Sequence, residues 1–279
     1  MVVLLYVRSA FARSVVVVYE PPAALRPAEA GVLLDGRLDV DDYVAGIVDL
    51  AVRGYLRLER VPHAFVGDDI LISVTRPWQS DPGVESFEIT ILARIYERGM
   101  DARLLSDVRA DREDLDALAA VTAAELANAG LFVIPAESAQ RLGRWLAVIV
   151  TAVWMQLAWN ARADAQSYGA ALATGAVLWP LASQLARRLL SHAGRQARQQ
   201  LLGFREFLRR AEKDHLEQMP PETLHELLPW AIALGVTDAW AQRFVHRSVP
   251  PTPWYAPAVP SASALRDEMH RVRSVARRR

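Results

Sequence analysis

The chain contains no cysteine, so disulfides, thiolate zinc sites and cysteine nucleophiles are excluded. Nothing in the composition indicates an oxidising compartment. Lysine is almost as rare, because Lys213 is the only lysine among 32 basic residues. Arginine therefore carries nearly all of the positive charge, and a single arginine is weak evidence for a functional site.

Catalytic and metal-binding patterns are also missing. Glu212 and His215 stand three residues apart, as in a dinuclear carboxylate site, but no partner carboxylates accompany them and a solvated helix face is the simpler interpretation. Gly143 and Gly203 are isolated, so no phosphate-binding loop is indicated. The sequence thus predicts no catalytic, cofactor-binding or metal-binding residue and a protein that is not an enzyme. The histidines are scattered and none has zinc-site spacing: His63, His192, His215, His225, His246 and His270.

The net charge is zero, but the two signs occupy different parts of the chain. Residues 19–135 hold 11 arginines against 21 acidic residues, whereas 187–247 hold 10 basic and 7 acidic residues. Residues 266–279 add 6 arginines against 2 acids. We therefore expect the acidic front to bind a protein partner or to dock on the basic rear.

Two uncharged apolar runs lie close together, at 145–161 and 168–186. As helices they would be roughly 25 Å long or slightly longer, close to the roughly 30 Å of a bilayer core. Trp145 and Trp159 stand near the ends of the first run, where indoles favour the membrane interface. The pattern predicts a two-helix transmembrane hairpin within 141–190. A buried helical hairpin of a soluble protein is the alternative.

Arginines predict the orientation of this hairpin. Arg162 is the only basic residue of the turn at 162–167, and Asp164 balances its charge. Arginines flank both ends of the hairpin. The positive-inside rule then places both termini in the cytoplasm, in a multi-pass protein of the inner (plasma) membrane with the lipid bilayer as a partner. The apolar segment 1–18 is interpreted as the remnant of a truncated span. The flanking arginines are Arg141, Arg144, Arg187, Arg188, Arg195 and Arg198.

The acidic front reads as two tandem winged-helix-like α+β units, 19–83 and 84–140. In the first, Asp39 begins an amphipathic helix that Gly54 ends, and two strands follow, the second at 70–74. In the second, helices at 85–98 and 112–129 precede the apolar run LFVI. The predicted fold is thus mainly α, with these units before the membrane hairpin and a small helical domain after it.

Winged helices often bind DNA, but the helix that would enter the groove carries Asp41, Asp42 and Asp49 and only Arg53. Phosphate contact requires a basic face, so no nucleic-acid partner is expected.

The rear domain, 191–247, is predicted to contain three helices, at 194–218, at 222–234 and from Thr237 onward. Trp230 and Trp240 follow helical spacing and are predicted to be core residues. Residues 248–279 read as a proline-rich linker and a basic disordered tail. Within this segment Trp254 and Tyr255 are expected to pack across a surface or lie at the bilayer interface. The alternative for the tail is an amphipathic helix on anionic lipid.

Several stretches resemble the YciQ-like predicted membrane proteins of bacteria. They are YEPPAALRPAEAG (19–31), IVDLAVRGYL (47–56), GFREFLRRAE (203–212), LPWAIALGV (228–236) and the pair WY (254–255). Members of that family generally have an extracytoplasmic β-rich region and a further span ahead of the YEPP segment, so the resemblance implies the C-terminal portion of such a protein. The family is a domain of unknown function and implies no chemistry.

The sequence favours a non-enzymatic membrane scaffold or sensor whose cytoplasmic domains bind a protein partner or self-associate. Two alternatives remain open: a membrane-tethered nucleic-acid regulator, and an accessory subunit of a transporter or envelope enzyme.

Overall fold

Helices surround a single four-stranded sheet in this protein, for which a computed structural model describes residues 17–23, 25–62, 67–132, 136–160, 170, 173–174, 190–210, 219–246 and 249–277. The front half contains α1 (Pro27–Asp35), α2 (Val40–Val52), β1 (Leu56–Val61), β2 (Asp69–Val74), α3 (Ser86–Ile95), a 3-10 turn (Glu97–Gly99), β3 (Ala102–Leu104), α4 (Leu105–Val108) and α5 (Arg112–Asn128). After α6 (Ala136–Asn160), the rear half contains α7 (His192–Arg210), α8 (Thr223–Glu226), α9 (Leu228–Ala233), α10 (Thr237–Arg243), β4 (Tyr255–Ala256) and α11 (Ala262–Arg277).

Local sequence explains where α2 begins and ends. The Asp39 carboxylate accepts hydrogen bonds from the backbone N–H groups of Asp41 and Asp42, at 2.7 and 3.1 Å, and the Asp42 carboxylate accepts one from the Asp39 N–H at 3.0 Å. This reciprocal arrangement satisfies donors that a helix start leaves free. Gly54, with φ 81°, follows the helix in a left-handed conformation that glycine adopts without strain. The predicted helix is confirmed.

The prediction of two winged-helix-like units, 19–83 and 84–140, is wrong because both segments build one sheet. Its strand order is β3-β2-β1-β4. β1 and β2 form an antiparallel hairpin, and β3, from the second segment, pairs antiparallel with β2. β4 comes from the rear half and pairs parallel with β1, with Leu58 opposite Tyr255. β3 therefore depends on the first segment for its hydrogen-bond partner, and β4 depends on the front half for its own.

The predicted transmembrane hairpin is corrected as well. Among the described residues, no helix has both the length and the apolar character needed to cross a bilayer. α6 contains the first run, but Arg144 precedes the apolar stretch and Gln156 and Asn160 interrupt its end. The uninterrupted part is thus shorter than the roughly 20 residues of a span. The second run, 168–186, lies outside the described residues except at 170 and 173–174, and so does 1–18 except for its last two residues.

The rear helices agree with the prediction except in one place. α7 covers the described part of the helix predicted at 194–218. The helix predicted at 222–234 is divided into α8 and α9 at Leu227, because Pro229 lacks an N–H and favours the first turn of a new helix. α9 ends before Gly235, and α10 begins at Thr237, as predicted.

Residues 249–277 form ordered structure, so the predicted disordered tail is a further correction. β4 joins the sheet, and α11 buries an apolar stripe in which Leu265, Val272 and Val275 have no exposed surface. Burial of such a stripe offsets the conformational entropy lost when the segment becomes ordered. Trp254 and Tyr255, expected to pack across a surface or to lie at the bilayer interface, are buried beside β1.

The front and rear halves share one core. α2 packs against α9 and α11, and its residues Ile47 and Val48 are fully buried. On the rear side, the Trp240 ring contacts Phe244 edge-on with centroids 4.9 Å apart. Trp230 and Trp240 are both buried, which confirms their predicted place in the core. The two halves therefore dock directly, with α2 at their boundary.

Candidate functional site

The most exposed apolar surface of the described chain lies on α6. Trp145 is 66% exposed and Trp159 is 72% exposed. At 3.6 residues per turn the exposed side chains fall on most sides of the helix, whereas Ala147 is buried. A helix that is apolar around most of its circumference is suited to an apolar environment. The other large exposed side chains on α6 are Leu146, Val148, Ile149, Val153, Trp154, Met155 and Leu157.

Polar groups within the exposed part of α6 are few. The Thr151 hydroxyl donates to the Ala147 carbonyl oxygen at 2.8 Å, so this group is satisfied inside the helix. A hydroxyl with an internal partner costs little free energy when it leaves water. The two indoles, at opposite ends of the apolar stretch, have an apolar body and an N–H that can stay hydrated at an interface.

The chain leaves and re-enters the folded body at one point. Phe132 and Leu190 form an antiparallel bridge, and the Ser191 N–H donates to the Leu131 carbonyl oxygen at 3.0 Å. Gly194 is required beside this point, since a Cβ atom there would overlap the same Leu131 carbonyl oxygen. α6 therefore belongs to a segment of the chain, 133–189, whose flanking residues Phe132 and Leu190 pair at one place on the body. We call this segment the apolar excursion.

Three glutamates meet where α1, α3 and α5 approach one another. Glu29, Glu85 and Glu125 each place a carboxylate oxygen within 4.8 Å of the other two. Glu29 accepts a hydrogen bond from the Arg26 N–H at 2.6 Å, and Glu125 accepts one from the Ser86 N–H at 2.8 Å. These N–H groups belong to the starts of α1 and α3, where the helix dipole also favours negative charge.

Burial and nearby charges strongly shift the pKa values of carboxyl groups in and beside this cluster. Burial, assisted by repulsion from Glu85 and Glu125, raises the pKa of Glu29 to about 7, although the hydrogen bond from the Arg26 N–H opposes the shift. Burial also raises the pKa of the neighbouring Glu88 to about 7, against the opposing charge of Arg53. Oxygen ligands of this kind suit a hard cation. Helix capping already accounts for the positions of Glu29 and Glu125, so the cluster reads first as a structural junction.

A second polar cluster joins the acidic front to α11. Asp41 forms ion pairs with both Arg273 and Arg277, in close contact with the first and at 2.9 Å from the second. Glu268 pairs with Arg60 at 2.7 Å. The expected attraction between the acidic front and basic residues from the end of the chain thus has a specific location.

The histidines considered in the sequence are not brought together. Those described lie on separate parts of the rear half: His192 in α7, His225 in α8, His246 after α10 and His270 in α11. Burial lowers the pKa of His225, whose Nε2 lies 3.2 Å from the Pro250 carbonyl oxygen. His63, His215 and Glu212 lie outside the described residues.

Sequence reasoning missed the cluster of Glu29, Glu85 and Glu125, which we call the glutamate junction. Its residues come from three distant segments, so no local motif reports it. One signal was available for Glu29, which stands three residues after the helix N-cap Arg26, the spacing of a capping box.

The comparisons with known proteins give one result. The family model for the C-terminal domain of the predicted membrane proteins DUF2207, a domain of unknown function, matches residues 16–244. That range includes the sheet hairpin, the apolar excursion and α7 to α10, and stops before β4 and α11. Neither the comparison with curated proteins nor that with solved structures gave a match. Because the family model covers most of the chain and the resemblance noted in the sequence points to the same kind of protein, this chain belongs to the DUF2207 family of predicted membrane proteins.

Proposed function

We propose that this protein is a non-enzymatic membrane scaffold or sensor component, held at a bilayer by the exposed apolar surface of α6. The observation that carries the proposal is the exposure of large apolar side chains around α6, with Trp145 and Trp159 at the two ends of its apolar stretch. Removing such side chains from water is worth about 1.5–3 kcal/mol each. The membrane-protein family supports lipid as the environment that covers them.

The remaining folded body is proposed to lie on the cytoplasmic side of the inner membrane and to bind a protein partner there. The support for this side is the excess of arginine in the sequence around the apolar excursion. An accessory role for a transporter or an envelope enzyme would use the same body and the same anchor.

A nucleic-acid regulator is the weaker proposal. α2 is the helix that would have to enter a DNA groove, yet α9 and α11 pack against it and Asp41 and Asp42 are buried. A helix covered on these sides cannot reach base edges without unfolding of the body.

The experiment is flotation of the full chain with vesicles of neutral phosphatidylcholine. We expect the unaltered protein to float with the vesicles. Val153→Asp places a charge in the apolar surface of α6, where a buried charge costs about 2.5–3.5 kcal/mol, so vesicle binding should fall by about a hundredfold. Val121→Asp is the matched control, because Val121 is an exposed valine on α5 and its substitution should leave binding unchanged. A full chain that stays in the dense fraction, or equal loss in both variants, would contradict the proposal.

A further inference from the structure

α7 presents an exposed face rich in arginine, which we call the arginine face. At 100° per residue these side chains fall within one contiguous sector of the helix, opposite the buried residues Leu201, Phe204 and Leu208. Arg195 and Arg210 are 15 residues apart along α7, so the arginine face runs for roughly 23 Å. The arginine face consists of the exposed Arg195, Arg205, Arg209 and Arg210 and the half-buried Arg198, whose Nε donates to the Leu34 carbonyl oxygen at 3.4 Å.

Acidic residues compensate this face only in part. Glu206 is the one acidic residue in α7, and it forms ion pairs with Arg209 at 2.7 Å and Arg210 at 2.5 Å. Arg243 of α10 extends the positive surface, since its Nη2 donates to the Arg209 carbonyl oxygen at 3.0 Å. Within the described part of α7, one carboxylate shared between two arginines leaves the face with an excess of positive charge.

The arginine face begins beside the base of the apolar excursion. Arg195 Nη1 donates to the carbonyl oxygen of Leu190, the residue that pairs with Phe132 where the chain re-enters the body. A bilayer that covers α6 would therefore have its headgroup layer close to the start of α7. Phosphate groups of anionic lipids are the negative charges available in that layer.

We infer that the arginine face binds the headgroups of anionic phospholipids and so orients the folded body against the membrane. This inference rests on the proposed bilayer contact of α6 and adds the lipid class and the second contact surface. Guanidinium groups suit this role because they stay charged and form paired hydrogen bonds to phosphate oxygens. Nucleic acid carries the same phosphate groups. Binding of nucleic acid would not explain, however, why the arginine face lies next to the apolar excursion.

The test compares vesicles of neutral phosphatidylcholine with vesicles containing phosphatidylglycerol, at low and at high salt. We expect the full chain to bind both, to prefer the anionic vesicles, and to lose that preference as salt shortens the Debye length. Arg205→Gln combined with Arg210→Gln should weaken binding to anionic vesicles by about tenfold and leave binding to neutral vesicles unchanged. Both positions are exposed, so folding should be preserved.

Two control variants separate position from total charge. Arg205→Lys with Arg210→Lys keeps the charge and should retain most of the anionic preference. Arg57→Gln with Arg112→Gln removes the same charge from exposed positions on β1 and α5 and should bind as the unaltered chain does.

Each outcome has one reading. An Arg205→Gln, Arg210→Gln variant that retains the anionic preference overturns the arginine-face inference while the bilayer contact of α6 stands. Equal weakening by the Arg57→Gln, Arg112→Gln control also overturns it, because net charge alone would then be responsible. Duplex DNA that displaces the protein from anionic vesicles but leaves binding to neutral ones intact, through the same two arginines, would assign the face to nucleic acid instead. Failure of the chain to bind either vesicle refutes both proposals.

Discussion

Glu29 shows how burial changes the behaviour of a single carboxyl group. Its folded-state pKa of about 7 lies above the ordinary value of 4.5, so the folded protein holds this proton more tightly than the unfolded chain. The sign follows from linkage: stability that is present below pH 4.5 is lost as the pH rises through 7.

We predict that Glu29→Gln removes this part of the pH dependence. Glutamine keeps an oxygen for the Arg26 N–H but carries no charge. Because a shift of this size corresponds to at most about 3 kcal/mol, the variant should exceed the unaltered protein in unfolding free energy by about 1–3 kcal/mol at pH 8 and match it near pH 4.5. Urea denaturation across this range measures the difference. Glu113→Gln, at an exposed position on α5, is the control, and a less stable Glu29→Gln at pH 8 would show that the charged form is needed.

Asp41 permits a second prediction, because it is buried and forms ion pairs with two arginines of α11. Asp41→Asn keeps the shape but leaves Arg273 and Arg277 without their charged partner, which should cost about 1–3 kcal/mol of unfolding free energy. Asp238→Asn is the control, since the Asp238 side chain is 68% exposed in its contact with His270 and exposed pairs contribute less than about 1 kcal/mol. Equal effects of the two substitutions in thermal or urea denaturation would contradict a structural role for the Asp41 cluster.

At the scale of elements, the helices with local signals were predictable. α2 has a capping aspartate, apolar residues at helical spacing and a terminal glycine within one short segment, so its bounds could be predicted from sequence. The sheet could not be predicted, because β3 has three residues, β4 has two, and the residue paired with Tyr255 of β4 lies 197 residues earlier in the chain. Among the candidate sites, the apolar run of α6 was visible in the sequence, whereas the glutamate junction depends on contacts between distant segments.

α11 shows why composition misled the prediction of the tail. Its arginines suggested a solvated end, but each of several arginines has an acidic partner on the front half, and the apolar residues between them face the core. α11 becomes ordered only when the front half supplies its acidic partners and its apolar contacts. The order of this helix therefore cannot be inferred from residues 262–277 alone.

We predict that Leu265→Ala lowers the unfolding free energy by about 3 kcal/mol, as expected for a fully buried leucine. Ser274→Ala, at an exposed position of the same helix, should change it by less than about 0.5 kcal/mol. Chemical denaturation of the full chain measures both. Similar stability of the two variants would mean that α11 does not belong to the cooperative core.

For the whole molecule, the shared core means that the halves are not independent domains. Residues 17–132, expressed alone, lack α9, α11 and β4, and would expose the apolar residues Ile47 and Val48 of α2. We predict that this fragment shows no cooperative unfolding and poor dispersion of its amide NMR signals. Adding a fragment of residues 190–277 should restore both properties. A well-dispersed spectrum from the front fragment alone would contradict the shared core.

The parallel pairing of β1 with β4 has a consequence for biosynthesis. When β1 leaves the ribosome, the strand that will complete its edge has not been made, because Tyr255 follows Leu58 by 197 residues. At roughly 5–20 residues per second, the nascent chain waits about 10–40 s with that edge open. The apolar excursion is synthesised within this interval. Delivery to a membrane can therefore begin before the folded body has acquired its final structure.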